Sequence, residues 1–119
     1  MGSAPREKRV LVVDDDPDVL RTIVHMLDEY AEVRLAFGAD EALRVLGTDD
    51  IDAVIVDFNM KGPDGAWLLR QVRDRYPEVA RILLSGSSYV ELCGRLEPGL
   101  VDSFIGKPFV AEDILACMD

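Results

Sequence analysis

The chain has 119 residues, 49% hydrophobic and 30% charged, with 23 acidic against 13 basic side chains and a formal charge of −10. That length supports one domain with its own core, and the acidic balance goes against gripping a nucleic-acid backbone, which depends on clustered Lys and Arg. No apolar stretch nears the roughly 18–20 residues needed to cross a bilayer, so a soluble cytoplasmic protein with no membrane partner and no direct nucleic-acid binding is expected. Residues 1–8, small and polar at their start, are read as a flexible N-terminal segment outside the fold. Gly2-Ser3 is of the kind that cloning leaves.

Val10-Leu11-Val12-Val13 is the first apolar run and ends at Asp14-Asp15. Asp16 before Pro17 fits a helix cap with proline at the first helical position, and Asp18 suits the first turn, where the helix dipole favours negative charge. Leu20, Ile23, Val24 and Leu27 give that helix its apolar stripe. His25 lies on it without a partner motif and is expected at the surface or its boundary. Val33 to Ala36 reads as a weaker edge strand, followed by a helix carrying Ala42, Leu43 and Leu46. Ala53-Val54-Ile55-Val56 is a second continuous run and ends at Asp57. A helix with Leu68, Leu69, Val72 and Tyr76 precedes Ile82-Leu83-Leu84, which ends at Ser85. Leu92, Cys93 and Leu96 mark a fourth helix, Phe104-Ile105 a fifth strand before Lys107-Pro108, and Ile114, Leu115 and Met118 a last helix over about Ala111 to Met118. Cys93 and Cys117 have neither metal nor disulfide spacing, so buried free thiols are expected.

Continuous rather than alternating runs are expected of strands covered on both faces. Strands alternating with helices imply a doubly wound α/β fold with a parallel sheet. In such a sheet the carboxyl ends of the strands share one edge, where open α/β folds bind ligands. Asp14, Asp15, Asp57, Ser85 and Lys107 therefore converge there. Crowded carboxylates repel, and one would take a proton unless a cation stood among them. A hard divalent ion with oxygen ligands is the simplest answer.

The segments Val12-Val13-Asp14-Asp15-Asp16, Val56-Asp57-Phe58-Asn59-Met60, Gly62-Pro63-Asp64-Gly65, Leu84-Ser85-Gly86 and Lys107-Pro108-Phe109 resemble, in order and spacing, the receiver domain of two-component response regulators. The resemblance covers about Arg9 to Met118, and residues 9–119 are taken as the receiver. It implies a flavodoxin-like five-stranded sheet in the order 2-1-3-4-5 with helices on both faces. It also implies phosphoryl transfer from a histidine kinase, or from a phosphotransfer protein of a phosphorelay, to Asp57, with no turnover of a free substrate. Mg²⁺, with Mn²⁺ as a substitute, would be held by Asp14, Asp15, Asp57 and the main-chain carbonyl of Asn59. Lys107 would contact a phosphoryl oxygen or the unmodified Asp57, turned into the site by a cis bond before Pro108. Ser85 would hydrogen-bond the phosphoryl group, Gly86 would leave room for donor or water, and Phe104 would be the aromatic that follows Ser85. The surface of the fourth helix, fifth strand and fifth helix, around Tyr89 to Leu96 and Phe104 to Leu115, would then control an output domain or partner, with a homodimer as one outcome.

Lys61 replaces the proline common in the turn after the acceptor, and Gly99 stands one position early relative to Phe104. Segments 73–77 and 81–86 resemble receivers joined to HD-GYP-type cyclic-dinucleotide phosphodiesterases. The last helix is short for the family, as in a domain cut from a larger regulator or a single-domain protein with a short tail. Two other functions fit some of the same residues. Asp14 and Asp16 have the spacing of the nucleophile and acid-base pair of haloacid-dehalogenase-like phosphatases, with Ser85 and Lys107 as the further motifs, although Asp18 and the lack of an acidic pair after Lys107 depart from that family. The receiver fold could also serve as a phosphorylation-independent docking module.

Overall fold

The computed structural model describes residues 8–58, 65–86 and 96–118. The apolar runs form five strands, β1 Arg9–Val13, β2 Glu32–Ala36, β3 Ala53–Asp57, β4 Ala80–Ser85 and β5 Ser103–Gly106. All neighbours are parallel and the order is β2-β1-β3-β4-β5, the flavodoxin-like order that the resemblance implies. The helices are α1 Pro17–Leu27, α2 Ala39–Thr48, α3 Gly65–Arg75 and a C-terminal helix Ala111–Ala116. The helix expected around Leu92 and Cys93 lies outside the described residues, as do Asn59 to Asp64.

Successive strand residues point to opposite faces of a sheet, and here each face has its own core. Leu11, Val13, Val54, Val56 and Leu83 pack with α2 and α3, while Val10, Val12, Ala53, Ile55, Ile82 and Leu84 pack with α1 and the C-terminal helix. This is why the sequence shows unbroken apolar runs: polar residues have no face left to occupy. Asp16 caps α1 as expected, its carboxylate accepting from the Asp18 amide at 2.9 Å with Pro17 in the first turn. His25 is exposed in the last turn of α1. Cys117 is free but only half-buried, short of the full burial expected, because the C-terminal helix turns only one buried side chain, Ile114, toward the sheet. No described helix is long and apolar enough to cross a membrane.

The amino ends of the strands are stapled by side chains that the apolar pattern did not single out. Asp52 accepts from the Arg9 amide and Asp102 from the Arg81 amide, each at 2.7 Å. Arg81, only 8% exposed within β4, donates Nε to the Leu100 carbonyl at 2.8 Å and a terminal nitrogen to the Gly99 carbonyl at 3.2 Å. Gly99 has φ +81°, a left-handed conformation that glycine takes without a Cβ penalty. Arg70 and Arg73 on α3 both hold Glu97, at 2.9 and 3.1 Å. The segment leading into β5 is therefore tied to β4 and α3 at once.

Burying a guanidinium is tolerable only because its donors are used, and removing it leaves main-chain carbonyls without partners. Arg81→Ala should therefore lower the unfolding free energy by about 2–3 kcal/mol, measured by urea titration. A loss below about 0.5 kcal/mol would mean that water replaces the guanidinium at little cost.

Candidate functional site

The site lies at the carboxyl edge of the sheet, where the strand order reverses between β1 and β3. Main-chain bonds carry the ladder one residue past the strand ends and fix where the functional residues start. The Asp14 amide donates to the Ala36 carbonyl at 3.1 Å, the Phe58 amide to Leu84 at 3.1 Å, and the Lys107 amide to Ser85 at 3.0 Å. Asp14, Asp57, Ser85 and Lys107 thus rest on a rigid frame.

Asp57 is 6% exposed at the end of β3, and Lys107 Nζ donates to its Oδ2 at 2.8 Å. The Lys107-Pro108 bond is cis, as the resemblance implies. Asp14 is 3% exposed. Its Oδ1 accepts from the Asp16 amide at 3.0 Å, while its Oδ2 is buried with no donor facing it among the described residues. Burial first, and the neighbouring Asp57 carboxyl second, push the Asp14 carboxyl up to about 7 from an ordinary 3.8, and the Asp16 amide and then Lys107 only partly offset this. A buried carboxylate oxygen without a donor is satisfied either by a proton or by a cation.

Asp15 is half-buried beside this pair. Among the described residues no three acidic, imidazole or thiol groups close tightly enough to hold a metal ion as they stand, and Asn59 lies outside them. The structure therefore brings together Asp14, Asp57 and Lys107 but does not close the full ligand set expected from the sequence. The donors fit a hard divalent cation on two counts: they are all oxygen, and one of them is orphaned.

Ser85 is 2% exposed at the end of β4, two residues beyond Leu83 and so on the same face. Leu83 is the register partner of Phe104, which is half-buried and packs on the α2 and α3 core. The two expected switch residues thus share one face of adjacent strands. Among the described residues nothing lies within 4 Å of where a Cβ on Gly86 would stand. Asp16, the second carboxylate of the phosphatase alternative, is engaged as the cap of α1.

A model of the response regulator receiver domain matches residues 10–119. The chain belongs to the response regulator receiver domain family. It is 36% identical over 118 residues to the transcriptional regulatory protein PrrA of Mycobacterium tuberculosis, covering 98% of this chain and 50% of that protein. To the hydrogenase transcriptional regulatory protein HoxA of Cupriavidus necator it is 33% identical over 112 residues, 92% of this chain and 23% of that protein. The receiver thus spans half or less of the length of these relatives. Among solved structures, the signal receiver domain of an HD domain-containing protein from Pseudomonas fluorescens superposes with a TM-score of 0.84 at 26% identity, covering 94% of this chain and 91% of that one. A CheY-like receiver from Methanospirillum hungatei gives 0.83 at 27% identity over 93% and 90%. Membership of this family, a two-component signalling family, displaces the phosphatase alternative.

Two features of the site were not singled out from the sequence. The Asp16 amide bond to Asp14 follows from the tight entry into α1, which Asp16-Pro17 signals. The close approach of Gly65 to Asp57 was visible only as one letter of a turn signature.

The raised Asp14 value makes a prediction for the metal-free receiver. The folded state holds a proton that the unfolded state releases near pH 3.8, so stability should fall as pH rises from about 4 to about 7 and stay low above that. This contribution is at most about 1.4 kcal/mol per pH unit. Asp14→Asn should flatten the profile and be more stable than wild type at pH 8, in urea titrations with a chelator present. Parallel profiles for the two proteins would remove Asp14 as the cause.

Proposed function

We propose that this receiver accepts one phosphoryl group on Asp57 from a histidine kinase or phosphotransfer protein of a cytoplasmic phosphorelay, in a reaction that needs Mg²⁺ or Mn²⁺. The observation that carries the reading is the 2.8 Å contact of Lys107 Nζ with Asp57 Oδ2 beside the orphaned oxygen of Asp14.

One Asp57 oxygen attacks phosphorus as the bond to the donor's imidazole nitrogen, or to the oxygen of a small acyl phosphate, breaks and its electron pair leaves with the donor. The product is an acyl phosphate, and the charge spreads over the phosphoryl oxygens in the transition state. Lys107 is already positioned to move from the Asp57 carboxylate to such an oxygen, a fixed positive charge that costs no reorganisation at the moment of reaction. Asp14, Asp15, Asp57 and the Asn59 carbonyl would hold the divalent ion, which when bound offsets the carboxylate repulsion and the donor's negative charge. Ser85 donates its hydroxyl to the new group, and Phe104 shifts on the shared face toward the space so opened. The helix, strand and helix surface around Tyr89 to Leu96 and Phe104 to Leu115 is the output, read by a domain joined in the same chain, a separate partner or a second receiver. Residues 87–95 of that surface lie outside the described structure. An HD-type output has the support of the Pseudomonas neighbour named above, and a DNA-binding output that of the transcriptional regulators.

Acetyl phosphate with Mg²⁺ should add one phosphoryl mass to the wild type, and none to Asp57→Asn or to wild type with a chelator, read by intact mass spectrometry. Lys107→Ala should stay folded and slow the reaction about a hundredfold or more. Equal labelling of wild type and Asp57→Asn would sink the Asp57 assignment, and no labelling of either would favour the docking-module reading.

A further inference from the structure

Gly65 opens α3 and is buried against the end of β3. A Cβ built there would stand 2.9 Å from the Asp57 carbonyl oxygen, 3.0 Å from Val56 Cγ1 and 3.3 Å from Phe58 Cα. Two of the three neighbours are main-chain atoms, which cannot rotate away as a side chain can. The need is for space and not for an unusual backbone, because Gly99 is the one glycine with positive φ among the described residues.

We propose that Gly65 is a positioning residue for phosphoryl transfer, an inference that rests on the function proposed above. Its missing side chain lets α3 start directly against the peptide of Asp57 and so sets the acceptor carboxylate at its distance from Lys107. Neither partner moves freely. β3 is hydrogen-bonded between β1 and β4, with Asp57 in register with Leu84 and the Phe58 amide on the Leu84 carbonyl. α3 is held by Leu68, Leu69 and Val72, all 0% exposed. A methyl group at position 65 must therefore tilt the Asp57 peptide, which carries the carboxylate off the Lys107 ammonium at 2.8 Å. Misplacement of a reacting group on this scale is costly, with about a hundredfold lost per ångström.

The test is a double-mutant cycle on the rate of Asp57 phosphorylation by acetyl phosphate with Mg²⁺, using the intact chain. Gly65→Ala should slow wild type about tenfold or more, yet slow Lys107→Ala by less than about threefold, because a displaced carboxylate has less to lose once the ammonium is gone. Two controls separate positioning from lost stability. Gly47→Ala adds a methyl in α2, where the nearest atom is the Tyr76 hydroxyl at an ordinary 3.5 Å, and should react like wild type. Arg81→Ala weakens the fold at the opposite end of the sheet and should also keep its rate. Should Gly65→Ala fail to fold, Val56→Ala removes one of the three contacts, and the cycle is run in that background. The inference is overturned if Gly65→Ala reacts within about twofold of wild type, slows no more than Arg81→Ala, or costs the same factor with and without Lys107. A wild-type chain that takes no phosphoryl group would instead remove the proposed function and this inference with it.

Discussion

Two buried carboxyls, Asp14 and Asp57, face each other because β1 lies beside β3 and each strand ends on an aspartate. Like charges about 4 Å apart repel by roughly 4 kcal/mol at an effective dielectric near 20. That is a large share of the roughly 5–15 kcal/mol that holds a domain folded. The repulsion is relieved in two ways: Lys107 pairs with Asp57, and burial beside Asp57 raises the pH at which Asp14 gives up its proton. Both remedies are reversible. A site so balanced gains from any cation that enters and can release Lys107 to a new anionic group. Cation binding and the proposed phosphoryl transfer would then both follow from one unfavourable contact that the strand order enforces.

The opposite end of the sheet uses the same residue types for another purpose. Asp52 and Asp102 precede strands and accept amides near the start of the neighbouring strands, and Arg81 donates to two main-chain carbonyls. These groups are satisfied, whereas Asp14 Oδ2 has no donor among the described residues. Satisfied polar groups fix geometry, and an orphaned one marks a place where something is expected to bind. The frame is thus stapled at its amino ends and left electrostatically incomplete at its carboxyl ends.

The sequence was legible where a residue's role is set by its own neighbours along the chain. Unbroken runs such as Val10 to Val13 report two-sided burial, and Asp16-Pro17 reports a helix start because the cap and the proline act within one turn. Roles that depend on contacts between distant segments were not legible in this way. Arg81 reads as a charged interruption before a strand, and only the fold brings the Leu100 and Gly99 carbonyls to its guanidinium. Gly65 shows in the chain only as the last letter of a turn signature, because its contribution is an absence of atoms that matters only beside Asp57. The strand order came from likeness to a family, since apolar periodicity reports burial but not which strands are adjacent. The candidate metal ligands were legible as residue types; that Asp14 and Asp57 meet depends on β1 lying beside β3, which residue type does not report.

The same frame constrains how a signal could leave the site. The Ser85 carbonyl accepts the Lys107 amide at 3.0 Å, so the main chains of β4 and β5 are joined at the residues that would touch a phosphoryl group. Moving either strand would break that bond and those below it, each worth about 1 kcal/mol. Rotating the Ser85 side chain breaks none of them. Phe104 lies two registers down on the same face, half-buried and packed on the α2 and α3 core. If Ser85 responds to phosphorylation of Asp57, the least costly route runs through side chains on that face while the ladder stays intact. The strands would then act as a fixed rail, and the side chains of Ser85 and Phe104 that they carry would be what moves.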